Sequence, residues 1–183
     1  MMTEDDFFGM FGIPVHYRID RAHLDQAYER LTLEHHPDFF ANAPPEDREA
    51  AERTSAMVNE GYRVLTDDVL RTAYLIERLA RGRALDTRAL PEGFLQEMFL
   101  LQEEVEELMD VEESPRKDAL RGEVTSRLDA VRGEQAVLFD AISGDPALEQ
   151  VQSMQTNLNC ERYLLRLIQA MDHTGEGNPF GHD

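Results

Sequence analysis

The 183-residue chain carries 37 acidic against 18 basic side chains, a formal net charge of −19 with a pI near 4.6. That balance excludes sequence-independent binding to nucleic acid or to an anionic membrane, both of which need clustered Lys and Arg. Hydrophobic residues make up 42%, enough for one or two packed domains, and no apolar run approaches the ~20 residues that span a bilayer. The single Cys160 excludes an internal disulfide and a Cys-x-x-Cys metal site, and the acidic start Met1–Asp6 is unlike a signal or transit peptide. The expected setting is the bacterial cytoplasm.

Phe7, Phe8, Met10, Phe11 and Ile13 form a short apolar cluster closed by Gly12 and Pro14. A helix is predicted over 20–35, with Asp20 as N-cap and Leu24, Ala27, Tyr28, Leu31 and His35 recurring on one face. It cannot pass Pro37, whose ring disfavours the α conformation at His36 and removes a backbone donor. His36, Pro37 and Asp38 therefore sit at a helix exit, followed by a loop through Pro45. A third helix starts at Pro45 or Glu46, proline being suited to a first helical position. Ala50, Ala51, Thr54, Met57, Val58, Gly61, Tyr62 and Leu65 mark its packing face. Thr66-Asp67-Asp68 interrupts it, and a short fourth helix runs from Val69 to Leu79, with Gly82 as its C′ residue.

Residues 81–91 read as a polar linker. Phe94 through Leu108 is strongly helical. Ser114 caps the next helix with Pro115 at its first position, and Leu120, Val124, Leu128, Val131, Leu138 and Ile142 carry its stripe to Gly144. Asp145-Pro146 opens the last helix, through Met171, and the polar tail 173–183 is expected to be disordered. No strand or hairpin signal occurs. The predicted fold is all-α, with residues 1–80 as one helical domain and 92–172 as an antiparallel three-helix bundle.

Helix, His36-Pro37-Asp38 loop and antiparallel helix together resemble a J-domain, the module by which J-proteins stimulate DnaK-type chaperones. Phe7–Ile13, the stretch Asn59-Glu60-Gly61-Tyr62-Arg63-Val64-Leu65 and the segment Leu70–Leu75 are similar to the HscB-type co-chaperones of iron–sulfur cluster assembly, and the resemblance runs nearly to the tail. It implies a non-enzymatic co-chaperone. Its loop engages a DnaK- or HscA-type ATPase, and its C-terminal bundle delivers an IscU-type scaffold protein. No metal or cofactor is expected.

On that resemblance the chaperone contacts are His36, Pro37, Asp38 and Arg30. Arg18 and Arg21 are the other basic residues near the loop. Glu29 and Glu34 dilute the basic face, Glu34 standing where the family often has a basic residue. The run from Glu92 to Glu113 is rich in acid and contains neither Lys nor Arg. Phe94, Met98, Leu101, Val105 and Leu108 share its core face. Leu95, Phe99 and Leu100 fall off that face beside Gln96, Glu103 and Glu107, as a docking patch or as a surface buried against the first domain. These positions match the scaffold-binding face of the family, joined by Tyr163. Gln96 stands where the family usually has an apolar residue and Leu100 where it often has an acidic one. The alternatives are a general J-protein with other clients, and a metal hydrolase built on His35, His36 and Asp38. Cys160 reads as a small core residue.

Overall fold

The structure, a computed structural model, describes residues 6–108 and 114–172. These contain seven α-helices and one 3-10 turn and no strand. None of the helices is long and apolar enough to cross a membrane. The chain divides into two compact units, one ending at Leu75 and the other beginning at Ile76. The tail 173–183, expected to be disordered, and positions 109–113 of the acidic run lie outside the described residues.

In the first unit, α1 (Phe7–Phe11) is capped by the Asp6 side chain, which accepts the Gly9 N–H, and Gly12 ends it at φ 67°. α2 (Arg21–Glu34) starts as expected, with the Asp20 carboxylate accepting the His23 N–H at 3.1 Å. Only Leu24 and Ala27 of its stripe are fully buried, while Tyr28, Leu31 and His35 are half-buried. α3 (Pro45–Thr66) has proline at its start and buries Ala51, Val58, Gly61, Val64 and Leu65. At Gly61 the backbone meets α1 closely. A Cβ there would lie 2.8 Å from a Phe7 ring carbon and 2.9 Å from one of Phe11, so only glycine lets these rings seat.

α4 (Asp68–Ala80) is capped by Asp67, whose carboxylate accepts the Leu70 N–H at 2.8 Å. It crosses the boundary between the units. Its first part serves the first unit: the Tyr74 hydroxyl accepts the Phe7 N–H at 3.0 Å, with the ring against Phe7 and Phe8. The Arg71 guanidinium is buried. It donates to the carbonyls of Tyr17 (3.0 Å) and Leu65 (2.7 Å) and pairs with Asp68. A buried cation needs such complete pairing, and here it ties the segment between α1 and α2 to the α3–α4 corner.

In the second unit, α5 (Phe94–Leu108), α6 (Pro115–Asp140) and α7 (Leu148–Asp172) form the bundle. Ion pairs Glu97–Arg127 and Glu104–Arg116 set α6 antiparallel to α5, and Arg121–Asp172 and Arg132–Glu161 set α7 antiparallel to α6. The core joins Met98, Leu101 and Val105 with Leu120, Val124 and Leu128 and with Leu164, Leu167, Ala170 and Met171.

Two details depart from the sequence reading. Beyond Leu128 the buried positions of α6 include Gln135, held to the Met154 carbonyl, and Ala136, while α6 ends before Ile142. Pro146 lies outside α7, because its carbonyl accepts from Arg83 and the Gln150 side chain turns back to the Ala147 N–H. Residues 81–91 are held to α7: Asp86 exchanges two hydrogen bonds with Gln152, and Asn159 donates to the carbonyls of Thr87 and Ala89. They are therefore a linker segment bonded to the second unit. Cys160 is buried, and burial pushes its thiol up to about 11, as befits a packing residue.

Candidate functional site

The exit of α2 is built by local chemistry. The His35 N–H still donates to the Leu31 carbonyl, but its backbone has left the helix at φ −114°, ψ 21°. His36 is extended at φ −64°, ψ 129°, as the following proline demands. Sequence reasoning placed the tripeptide at a helix exit, and there the chain makes a 3-10 turn over Pro37–Phe40, with proline where no N–H is required.

His36 caps that turn. Its Nδ1 accepts the Asp38 N–H at 3.3 Å and its carbonyl accepts the Phe39 N–H at 3.0 Å. The same nitrogen approaches the Asp38 carboxylate to 3.6 Å. Among the described residues no group of three His, Cys, Asp or Glu could hold an ion. The Asp38 side chain is 88% exposed. The result is an exposed carboxylate on a hydrogen-bonded turn.

Behind the turn, α2 and α3 are zipped by polar aromatic contacts. The Tyr28 and Tyr62 rings stack at 4.0 Å, and the Tyr28 hydroxyl donates to Asn59 at 2.9 Å. The Tyr62 hydroxyl donates to Asp25 at 2.9 Å, and Arg21 donates to both. The Tyr62 hydroxyl first, and Arg21 with it, hold the Asp25 carboxyl below its ordinary range. Arg21 also lies over the Tyr62 ring and reaches the Thr66 carbonyl, so its charge is spent inside the hairpin. Arg30 is exposed on α2 but faces Glu34 at 3.7 Å. Leu33 and Phe39, on either side of the His36-Pro37-Asp38 tripeptide, are 65% and 68% exposed.

The second candidate region lies on α5 and α7. Met98, Leu101 and Val105 are buried and Phe94 and Leu108 half-buried, the core face expected. Leu95, Phe99 and Leu100 are each more than half exposed. Gln96, Glu103 and Glu107 are exposed as well. Leu95, Phe99, Glu103 and Glu107 follow one another at four-residue steps, with Gln96 and Leu100 on the adjoining ridge. Tyr163 is half-buried, its ring edge-on to Phe94 at 5.9 Å. The exposed Arg166 guanidinium lies 5.7 Å from the Tyr163 ring centre. The two residues are three apart on the same helix, a spacing the sequence already shows.

A helical hairpin with an ordered His-Pro-Asp turn at its tip is the architecture of a J-domain protein, and the DnaJ domain family matches residues 6–74. The Co-chaperone protein HscB homolog of Cupriavidus taiwanensis is 36% identical over 122 residues, 66% of this chain and 69% of the relative. The homolog of Azoarcus sp. is 38% identical over 105 residues, 57% of this chain and 59% of the relative. The chain belongs to the HscB co-chaperone family. Among solved structures, chaperone HscB from Vibrio cholerae superposes with a TM-score of 0.75 at 22% identity, covering 91% of this chain and 94% of that one. Human co-chaperone protein HscB gives 0.75 at 20% identity, covering 91% and 80%. Both share the all-α fold, J-domain hairpin and helical C-terminal region included.

Proposed function

We propose that this chain acts in iron–sulfur cluster assembly. Its J-domain, residues 1–80, stimulates ATP hydrolysis by a DnaK- or HscA-type chaperone. Its C-terminal bundle, 92–172, presents an IscU-type scaffold protein to that chaperone in the cytoplasm. The chemistry belongs to the ATPase, and no catalytic group is assigned to this chain. The observation that carries the reading is the outward Asp38 carboxylate on a turn capped by His36. It offers an arginine of the ATPase a charge-assisted hydrogen bond, worth about 1.5–3 kcal/mol. If that bond is stronger in the hydrolysis-competent state than in the resting ATP state, it shifts the population and lowers the barrier. His36 and Pro37 fix the aim of the carboxylate, and Arg30 adds a contact on α2.

For the bundle, the supporting observation is an exposed apolar strip of Leu95, Phe99 and Leu100 beside Gln96, Glu103 and Glu107, with Tyr163 at its α7 edge. Two docking sites on one chain raise the effective concentration of scaffold at the chaperone. The test is single-turnover ATP hydrolysis by the HscA-type ATPase with wild-type chain and with Asp38→Asn. Stimulation lost in the variant, at unchanged melting temperature, supports the reading; equal stimulation refutes it.

A further inference from the structure

We propose that Phe39 is a second, apolar contact of the loop with the ATPase chaperone, beside the carboxylate of Asp38. This rests on the reading above that the His36-Pro37-Asp38 turn meets that chaperone. In a 3-10 turn successive side chains point about 120° apart, and the two phenylalanines that end this one divide accordingly. The turn packs on α3 with Phe40 half-buried, whereas the Phe39 ring is 68% exposed. Its ring neighbour is His36, edge-on with centres 6.1 Å apart. Its backbone is nonetheless fixed, by its own N–H to the His36 carbonyl at 3.0 Å and by the Ala41 N–H to the Asp38 carbonyl at 3.4 Å. An aromatic on an ordered backbone loses little further freedom on binding, and aromatics of this kind dominate interface energetics.

The charges around the turn point the same way. Arg21 is committed to Asp25 and Tyr62, and Arg30 faces Glu34. Long-range attraction from α2 is therefore small, and the group next to Asp38 that can still supply affinity is apolar. The partner surface this implies has a cationic group for Asp38 with an apolar depression one residue away. The occupant is thus the ATPase that Asp38 addresses; a second copy of this chain, with its large negative charge, would be repelled.

The experiment titrates the full chain into the purified HscA-type ATPase and reads ATP turnover at low and physiological salt, for wild type, Phe39→Ala, Phe39→Leu and Asp38→Asn. Phe39→Ala should raise the half-saturating concentration about tenfold, the effect of losing most of one buried aromatic. The maximal stimulation and melting temperature should stay unchanged, the shift should be the same at both salt concentrations, and Phe39→Leu should recover most of it. Phe39→Ala titrating like wild type, with Asp38→Asn inactive, overturns this assignment and leaves the proposed function standing. Full stimulation by Asp38→Asn overturns both. A melting temperature lowered by Phe39→Ala, or wild-type self-association that this substitution abolishes, also overturns it, because the ring then packs within the chain or against another copy.

Discussion

The His36–Phe40 turn and the α5–α7 strip are both exposed, yet they are made differently. The turn consists of neighbours in sequence: a helix cap, a proline and a histidine that bonds its own second-next N–H. The strip consists of residues one helix turn apart and of Tyr163 from a distant helix, set level with Phe94 by core packing. The turn offers one directed charge with a single exposed ring beside it, and the strip offers a wider apolar area. A directed charge suits the control of a partner's reaction, because its strength changes steeply with the partner's geometry. Apolar area suits holding a partner, because it is insensitive to such changes.

The sharpest way to break the comparison is to remove each element and read the other's function. Asp38→Asn should reduce ATPase stimulation to the unstimulated rate, while calorimetric titration shows scaffold binding unchanged. If scaffold affinity fell as well, the two regions would not be independent. Phe99→Ala should weaken scaffold binding by about one to two powers of ten, the worth of burying a phenylalanine at about 1.5–3 kcal/mol. Its melting temperature should hold, since Met98, Leu101 and Val105 carry the core. Equal affinity with a much lower melting temperature would move Phe99 into the core and the strip elsewhere.

A third substitution separates the units without touching either surface. Gly61→Ala forces a methyl group into the Phe7 and Phe11 rings, and overpacking of this kind costs about 1–3 kcal/mol. Chemical denaturation followed by tyrosine fluorescence should show the loss. Stimulation should decline with it, and scaffold binding should survive. The smallest expected effect concerns salt. With Arg21 bonded to Asp25 and Tyr62 and Arg30 facing Glu34 on the surface of α2, few ion pairs remain to be screened, so chaperone affinity should change little between low and physiological salt. A steep decline would show that Arg18, Arg21 and Arg30 act together.

The helices were legible in the sequence because their determinants are local. Asp20, Ser114 and Pro115 lie within a turn of the helix starts they define, and Gly12 and Gly82 mark ends that need a positive φ. The turn at His36 was legible for the same reason, apart from its 3-10 hydrogen bonding. Periodicity also separated the core face of α5 from Leu95, Phe99 and Leu100, but it could not tell exposure from burial against another element.

That choice belongs to tertiary structure, as do the pairings that no spacing reveals. Arg21 could have been a free basic residue for docking. It became a hairpin clamp because packing brought Tyr62 within 3.1 Å. Glu161 is buried against Arg132 of a different helix at 2.7 Å. Residues 81–91 lack helical pattern and so read as a linker, yet their backbone groups are satisfied by Gln152 and Asn159 of α7. Caps, prolines and periodicity act over one turn of chain, and sequence alone determines them. The fate of a charge or an exposed ring depends on what lies across from it, and only the folding of distant segments together decides that.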